Sequence, residues 1–231
     1  MTPMTPLPPL PQTTPMTPMK HLAEWRFLPL FARARSLGRT AVAAGLLLIA
    51  LAVAGGRTVR TGIDAPITLP LAVLVPVALA AVIGAGTHEP MPHLDRLSNG
   101  RVLRMRARYA VLTLLVTGAG TWLMTPAATG APDVLAQGPE VAVRNLAALT
   151  GATLACATVL GAELSWPPAV LLLGAALFLG RTGTAAPLWS WLTAPQGSTP
   201  ALATACALTG LGIGLYVPYG DGGLRHRLRR S

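Results

Sequence analysis

The chain has 231 residues, 52% of them hydrophobic and only 11% charged, with mean hydropathy +0.54 and net charge +10. A soluble domain carries about 25% charged residues, so a water-facing globule is excluded for want of polar surface. Disorder of the whole chain is excluded by the apolar content, which leaves an integral membrane protein.

The charge pattern points the same way. Seventeen arginines and one lysine lie mainly in three blocks between long uncharged stretches. Such blocks mark the cytoplasmic side of a membrane protein. They do not form a nucleic-acid face, and no nucleic-acid-binding motif is present. The abundance of Arg, Ala, Gly and Pro suits a high-GC bacterial genome. Cys156 and Cys206 each sit within an apolar stretch, as small hydrophobes rather than as a disulfide framework.

Residues 1–19 hold seven prolines and three Met-Thr-Pro units. Proline lacks the N–H and clashes with the preceding turn, so this segment reads as a disordered or polyproline-II tail. It has neither the basic start nor the continuous apolar core of a secretory signal. Residues 20–39 mix Trp25, Phe27 and Phe31 with Lys20, Arg26, Arg33, Arg35 and Arg39 around Pro29. The prediction is a broken interfacial helix on the cytoplasmic surface, where long basic side chains snorkel.

Six spans follow. A hydrocarbon core of roughly 30 Å needs about 20 apolar residues as a helix. Residues 40–56, 66–86, 109–127, 145–162 and 199–217 qualify without a charged residue, and 167–182 is the shortest, with Arg181 near its end. Unbroken apolar runs select helices over the alternating strands of a barrel. With both termini inside, six spans leave fourteen basic residues on the cytoplasmic side and four (Arg57, Arg60, Arg144 and Arg181) outside, as the positive-inside rule requires. Five spans would expose one terminal basic block. A basic tail at 218–231 closes the chain. Gly210 and Gly214 form a G-x-x-x-G, and Ala148–Ala152 and Ala203–Ala207 are its alanine version. These spacings suit close helix packing, within the chain or in a dimer.

The motifs of soluble catalysis are missing. The only lysine, Lys20, is not in a P-loop, so any ATP-driven work would need a separate motor. His88 and His93 are five apart with Pro90 and Pro92 between them. The helical zinc motif needs four, so a polar loop at a span end is the plainer reading. No G-x-S-x-G elbow is present, no cofactor is called for, and Glu163 near Trp166 reads as an interfacial carboxylate. The most informative connection is 87–108, THEPMPHLDRLSNGRVLRMRAR. It opens with His88 and Glu89, continues through Asp95 and Arg96, and turns at Asn99-Gly100. Arg101, Arg104 and Arg108 follow at spacings that share a helix face. These residues suit two roles together: anchoring to anionic headgroups and docking a cytoplasmic partner.

An interfacial segment, six spans and an acidic-started inner loop between spans two and three resemble the permease subunit of bacterial ABC transporters of the ABC-2 exporter type. The stretch 83–108, beginning IGAGTHEP with Glu89 at the matching place, carries the resemblance. The resemblance implies a coupling helix in the inner loop, a separate ATP-binding subunit, and a homo- or hetero-dimer of permease subunits. The short outer loops depart from many members of that family. The expectation is an all-α, multi-pass protein of the bacterial cell membrane, not itself an enzyme, that works as a permease subunit. A non-transporting scaffold or sensor is the alternative, because the spans carry few polar groups. A lipid-modifying enzyme would have to draw on Glu163, His88, Glu89, His93 and Asp95.

Overall fold

A computed structural model describes residues 37–54, 58–61, 67–88, 101–128, 138–178, 190–192 and 194–224. The Pro-rich tail, the interfacial segment up to residue 36, and residues 225–231 of the basic tail lie outside the described residues. So do 89–100, which hold Glu89, Asp95 and Arg96.

The described chain is helical apart from one small hairpin. The helices are α1 (Leu37–Ala54), α2 (Leu71–Ala85), α3 (Arg101–Ala128), α4 (Pro139–Leu160), α5 (Pro167–Phe178) and α6 (Thr199–Tyr219). They fall on the six apolar stretches of the sequence. Proline marks several starts, because its missing N–H is unused in the first turn. Pro139 follows Gly138, Pro167 opens α5, and Pro200 stands in the first turn of α6. Glycine marks two ends. Gly161 (φ 97°) stops α4 and Gly220 (φ 66°) stops α6, in backbone conformations costly for any residue with a Cβ.

The hairpin lies between α1 and α2. Strand β1 (Thr58–Thr61) pairs antiparallel with β2 (Ile67–Pro70), with Thr58 opposite Pro70 and Thr61 opposite Ile67. The second apolar stretch therefore begins as a strand, and its helix starts at Leu71. Thr58, Val59, Thr61, Ile67 and Thr68 are β-branched and favour extended backbone.

At 1.5 Å per residue, α4 and α6 are about 33 and 32 Å long, α2 about 22 Å and α3 about 42 Å. Two of the helices, α4 and α6, are long and apolar enough to cross a membrane. Successive helices run up and down. The starts of α1, α3 and α5 and the ends of α2, α4 and α6 meet at one end of the bundle. There a Cβ on Gly86 would meet Tyr109 and Thr40, and one on Gly84 would meet Ser165 and Thr153. Arg39, Arg104, Arg106 and Arg108 gather at this basic end.

Helix α4 is the central rod and touches α2, α3, α5 and α6. Leu146, Ala148, Leu149 and Ala157 on it are fully buried. Its closest crossing is with α6. A Cβ on Gly212 would strike the backbone of Gly151, and one on Gly151 would strike that of Leu208 and Thr209. Gly210 and Gly214 lie on the outward face of α6, where an added Cβ meets nothing. The small residues that make the contact within the chain are thus Gly151 and Gly212, with Ala148 and Ala152 buried beside them.

The surface is the reverse of a soluble bundle. Val42, Leu46, Ile49 and Val53 stand exposed along α1 at helical spacing, as do Val111, Leu112, Leu115, Val116, Trp122 and Leu123 along α3. Buried positions include Thr117, Thr121 and Thr125 on α3 and Thr150, Thr153 and Thr158 on α4. Large apolar side chains face out as well as in, and hydroxyls are buried among them. Most of these hydroxyls are satisfied locally, for example Thr117 Oγ1 donating to the Thr113 carbonyl (2.6 Å) and Thr125 Oγ1 to that of Thr121 (2.6 Å). Helical threonine can hide a hydroxyl this way in an apolar medium.

Candidate functional site

At the basic end, the last turn of α6 is tied to three other helices. Asp221 Oδ1 accepts from the Ala162 N–H (2.6 Å), just past the end of α4. The Gly222 N–H donates to the Ala157 carbonyl (2.9 Å). Asp221 Oδ2 lies 3.4 Å from His88 Nδ1, just ahead of residues 89–100. Arg106 of α3 is buried, lies against Gly220 and reaches the Val217 carbonyl (3.5 Å). Tyr109 donates to the Ile83 carbonyl (3.2 Å). The residues flanking 89–100, His88 and the start of α3, are therefore fastened to the same turn of α6.

The loop residues singled out in the sequence divide as follows. Arg101 is the first residue of α3, and Arg104 and Arg108 project from that helix into solvent. The helix starts eight residues before the apolar stretch at Tyr109, so about 12 Å of helix carries these arginines beyond it. Arg106, between them, turns inward and holds α6. His88 is 57% exposed and joins the cluster through Asp221, a residue remote from it in the chain. Glu163 and Trp166 are both exposed beside the start of α5.

At the far end, the sequence placed Arg144 in an outer loop. In the structure α4 begins at Pro139, so Arg144 lies inside the helix and is 9% exposed. Its Nη2 donates to the carbonyls of Trp191 (2.9 Å) and Ala194 (2.9 Å), and its Nη1 to that of Pro195 (3.4 Å). Asn145 Oδ1 accepts from its Nε (3.4 Å). Asn145 Nδ2 in turn donates to the Leu192 carbonyl (2.7 Å). Two adjacent side chains thus donate to the carbonyls of Trp191, Leu192, Ala194 and Pro195. Trp191 and Leu192 are buried in one cluster with Val77, Ala148, Leu173, Ala201 and Ala205. The available signal was the Arg-Asn pair directly ahead of an apolar run. A buried arginine needs a full set of acceptors, and the carbonyls of a loop provide them.

Comparison with protein-family models, curated proteins and solved structures finds no match. Function is therefore read from the site alone. Among the described residues no group of three His, Cys, Asp or Glu is placed to hold a metal ion. Cys156 is half-buried and Cys206 exposed on the outer face of α6, each a free thiol. The geometry offers mechanical linkage: helix ends clasped together at one end, and a loop clasped to helices at the other.

Proposed function

We propose that the chain is a multi-pass protein of the bacterial cell membrane and serves as the permease subunit of a transporter driven by a separate ATP-binding partner. The single observation that carries the membrane reading is the apolar outer surface. Exposed Leu, Val and Ile line α1 and α3 while Thr, Asn and Arg lie inside. In water those outward faces would form apolar patches far beyond what a monomer tolerates, whereas in lipid they are matched.

On this reading all six helices cross the bilayer, and the basic end faces the cytoplasm with both termini. Arg104 and Arg108 then stand among anionic headgroups or against the partner. The partner reading rests on the inner loop. Its two anchors, His88 and α3, converge on the Asp221 turn at the ends of α4 and α6, so force applied to 89–100 reaches four helices. The partner supplies ATP hydrolysis; the chain supplies the membrane pathway and shifts between two arrangements of its helices. Two copies, or this chain and a similar one, would form the pathway.

The test is purification from native membranes in mild detergent. An ATPase should co-purify, and Glu89→Arg combined with Arg104→Glu should release it while the membrane protein still accumulates. If no ATPase co-purifies, the permease reading fails. A non-transporting scaffold or sensor is the second reading. It is favoured by the interior of α4 beyond Asn145, which is filled mainly by leucine, alanine and threonine. Transport by the chain in reconstituted vesicles would dismiss it.

A further inference from the structure

Threonine recurs at every fourth residue along α3, at Thr113, Thr117, Thr121 and Thr125. On a helix this spacing makes one stripe. It is about 18 Å long at 1.5 Å per residue, more than half of a hydrocarbon core of roughly 30 Å. Its last three members are buried. Thr117 and Thr125 donate to their own helix. Thr121 Oγ1 has no hydrogen-bond partner among the described residues, and neither has Thr150 Oγ1 of α4, although both side chains are buried. Val143, Thr150 and Leu154 lie seven and four residues apart and share a face of α4. A Cβ on Gly118 of α3 would meet Val143 at 3.8 Å, so that face turns toward α3. The two unpartnered hydroxyls therefore stand on opposing walls of the α3–α4 seam, with Gly118 between them in height. Gly118 is itself buried, yet its added Cβ meets only that one atom, at ordinary contact distance. The seam thus has room beside the stripe.

We propose that the α3–α4 seam is a binding path for water and small uncharged hydroxylic solutes, lined by the threonine stripe and Thr150. A buried hydroxyl left unpaired is costly, and each of these offers one donor and two acceptor sites. Successive hydroxyls of the stripe lie about 6 Å apart along the axis, close to two O–H···O bonds laid end to end. One bound hydroxyl between two threonines therefore bridges both. The solute is uncharged because the seam has nothing to balance a charge. Beyond Arg108, α3 carries no charged residue, and on α4 Glu140 is exposed while Arg144 is taken up by loop carbonyls. A bare ion in such a place is expensive. The inference rests on the reading that the helices lie in lipid. It names a wall and a solute class for the membrane pathway and does not depend on the ATP-binding partner.

The test uses the full chain in native membrane vesicles, with Cys156 and Cys206 replaced by serine. Single cysteines are introduced at Thr121 and Thr150, at Ala148, buried on the opposite face of α4, and at Leu115, exposed on α3. The probe is hydroxyethyl methanethiosulfonate, itself small, uncharged and hydroxylic. Thr121→Cys and Thr150→Cys should react at least about ten-fold faster than Ala148→Cys and Leu115→Cys, because the reactive thiolate forms only where water reaches it. The cationic trimethylammonioethyl reagent should label the two seam positions at least about ten-fold more slowly than the neutral one, since a charge is not admitted. As a second measurement, Thr121→Val combined with Thr150→Val should lower the melting temperature in detergent. Valine removes hydroxyls that have a bound partner, whereas removing truly unpaired ones would raise it.

Carbonate extraction of the same vesicles separates the two ways of failing. If the chain is released, the membrane reading falls and the seam with it. If the chain stays in the membrane and Thr121→Cys and Thr150→Cys are as slow as Ala148→Cys, the seam alone is overturned. It is also overturned if the valine pair melts at a higher temperature than the parent chain. Equal labelling by the cationic reagent would overturn the solute class.

Discussion

Arg144 and Asp221 do at opposite ends what regular secondary structure does elsewhere, which is to give backbone groups partners. Arg144 serves three carbonyls at once through a planar fork that lysine lacks. Arg144→Met should therefore leave the Trp191 and Ala194 carbonyls unmatched, Pro195 keeping the Ser198 N–H, and lower stability by about 3 kcal/mol, at roughly 1–3 kcal/mol for each buried group left unpaired. Arg144→Lys should recover only part of that loss. Thermal unfolding in detergent checks both. Asp221 offers a sharper contrast, because one carboxylate oxygen takes the Ala162 N–H and the other faces a largely exposed histidine. A pair with an exposed partner contributes little, so the hydrogen bond dominates. Asp221→Asn should keep most of the stability, and Asp221→Ala should lose about 1–2 kcal/mol. Equal losses in the two variants would contradict this assignment.

At the scale of helices, the α4–α6 crossing is set by glycine at two positions. A side chain on Gly212 has to displace the backbone of Gly151 rather than a rotamer. Gly212→Leu should cost at least about 1–3 kcal/mol, the usual penalty for overpacking. Gly210→Leu and Gly214→Leu should leave the monomer's melting temperature nearly unchanged, since nothing stands within reach of their Cβ atoms. A G-x-x-x-G spacing shows which residues share a face but not which face turns inward. Gly210, Gly212 and Gly214 are equally small, and the choice among them depends on where the bulky Leu208, Ile213 and Tyr216 pack. The hairpin was hidden for a related reason. Ile67–Pro70 continues the apolar run of α2, and an apolar run by itself does not separate strand from helix. The α3 overhang was half visible: the shared face of Arg101, Arg104 and Arg108 could be read in their spacing, but the inward turn of Arg106 could not.

For the whole molecule, the outer surface is apolar where that of a soluble bundle is polar, and this makes a strong prediction about insertion. Leu115, exposed on α3, sits near the middle of its apolar stretch. Leu115→Arg should lower the membrane-inserted fraction by an amount set by about 2.5–3.5 kcal/mol for a charge at a span centre. Leu115→Ala should insert normally. Carbonate extraction of the membranes reads both. The apolar, helical character was legible because composition is a bulk property and needs no tertiary detail. The far-end contact was not, because Arg144 is some fifty residues distant from the carbonyls it binds, and nothing local in the sequence records that meeting. One mechanical consequence follows from the Gly151–Gly212 crossing. A stiff rod pressed most closely at one point tilts about that point as a fulcrum. From Gly212, α6 extends about 12 Å to the Asp221 turn and about 20 Å to Ser198. These unequal arms form a lever, so a nudge of 1 Å at the short arm becomes about 1.7 Å at the other tip, beside the residues that seat Trp191.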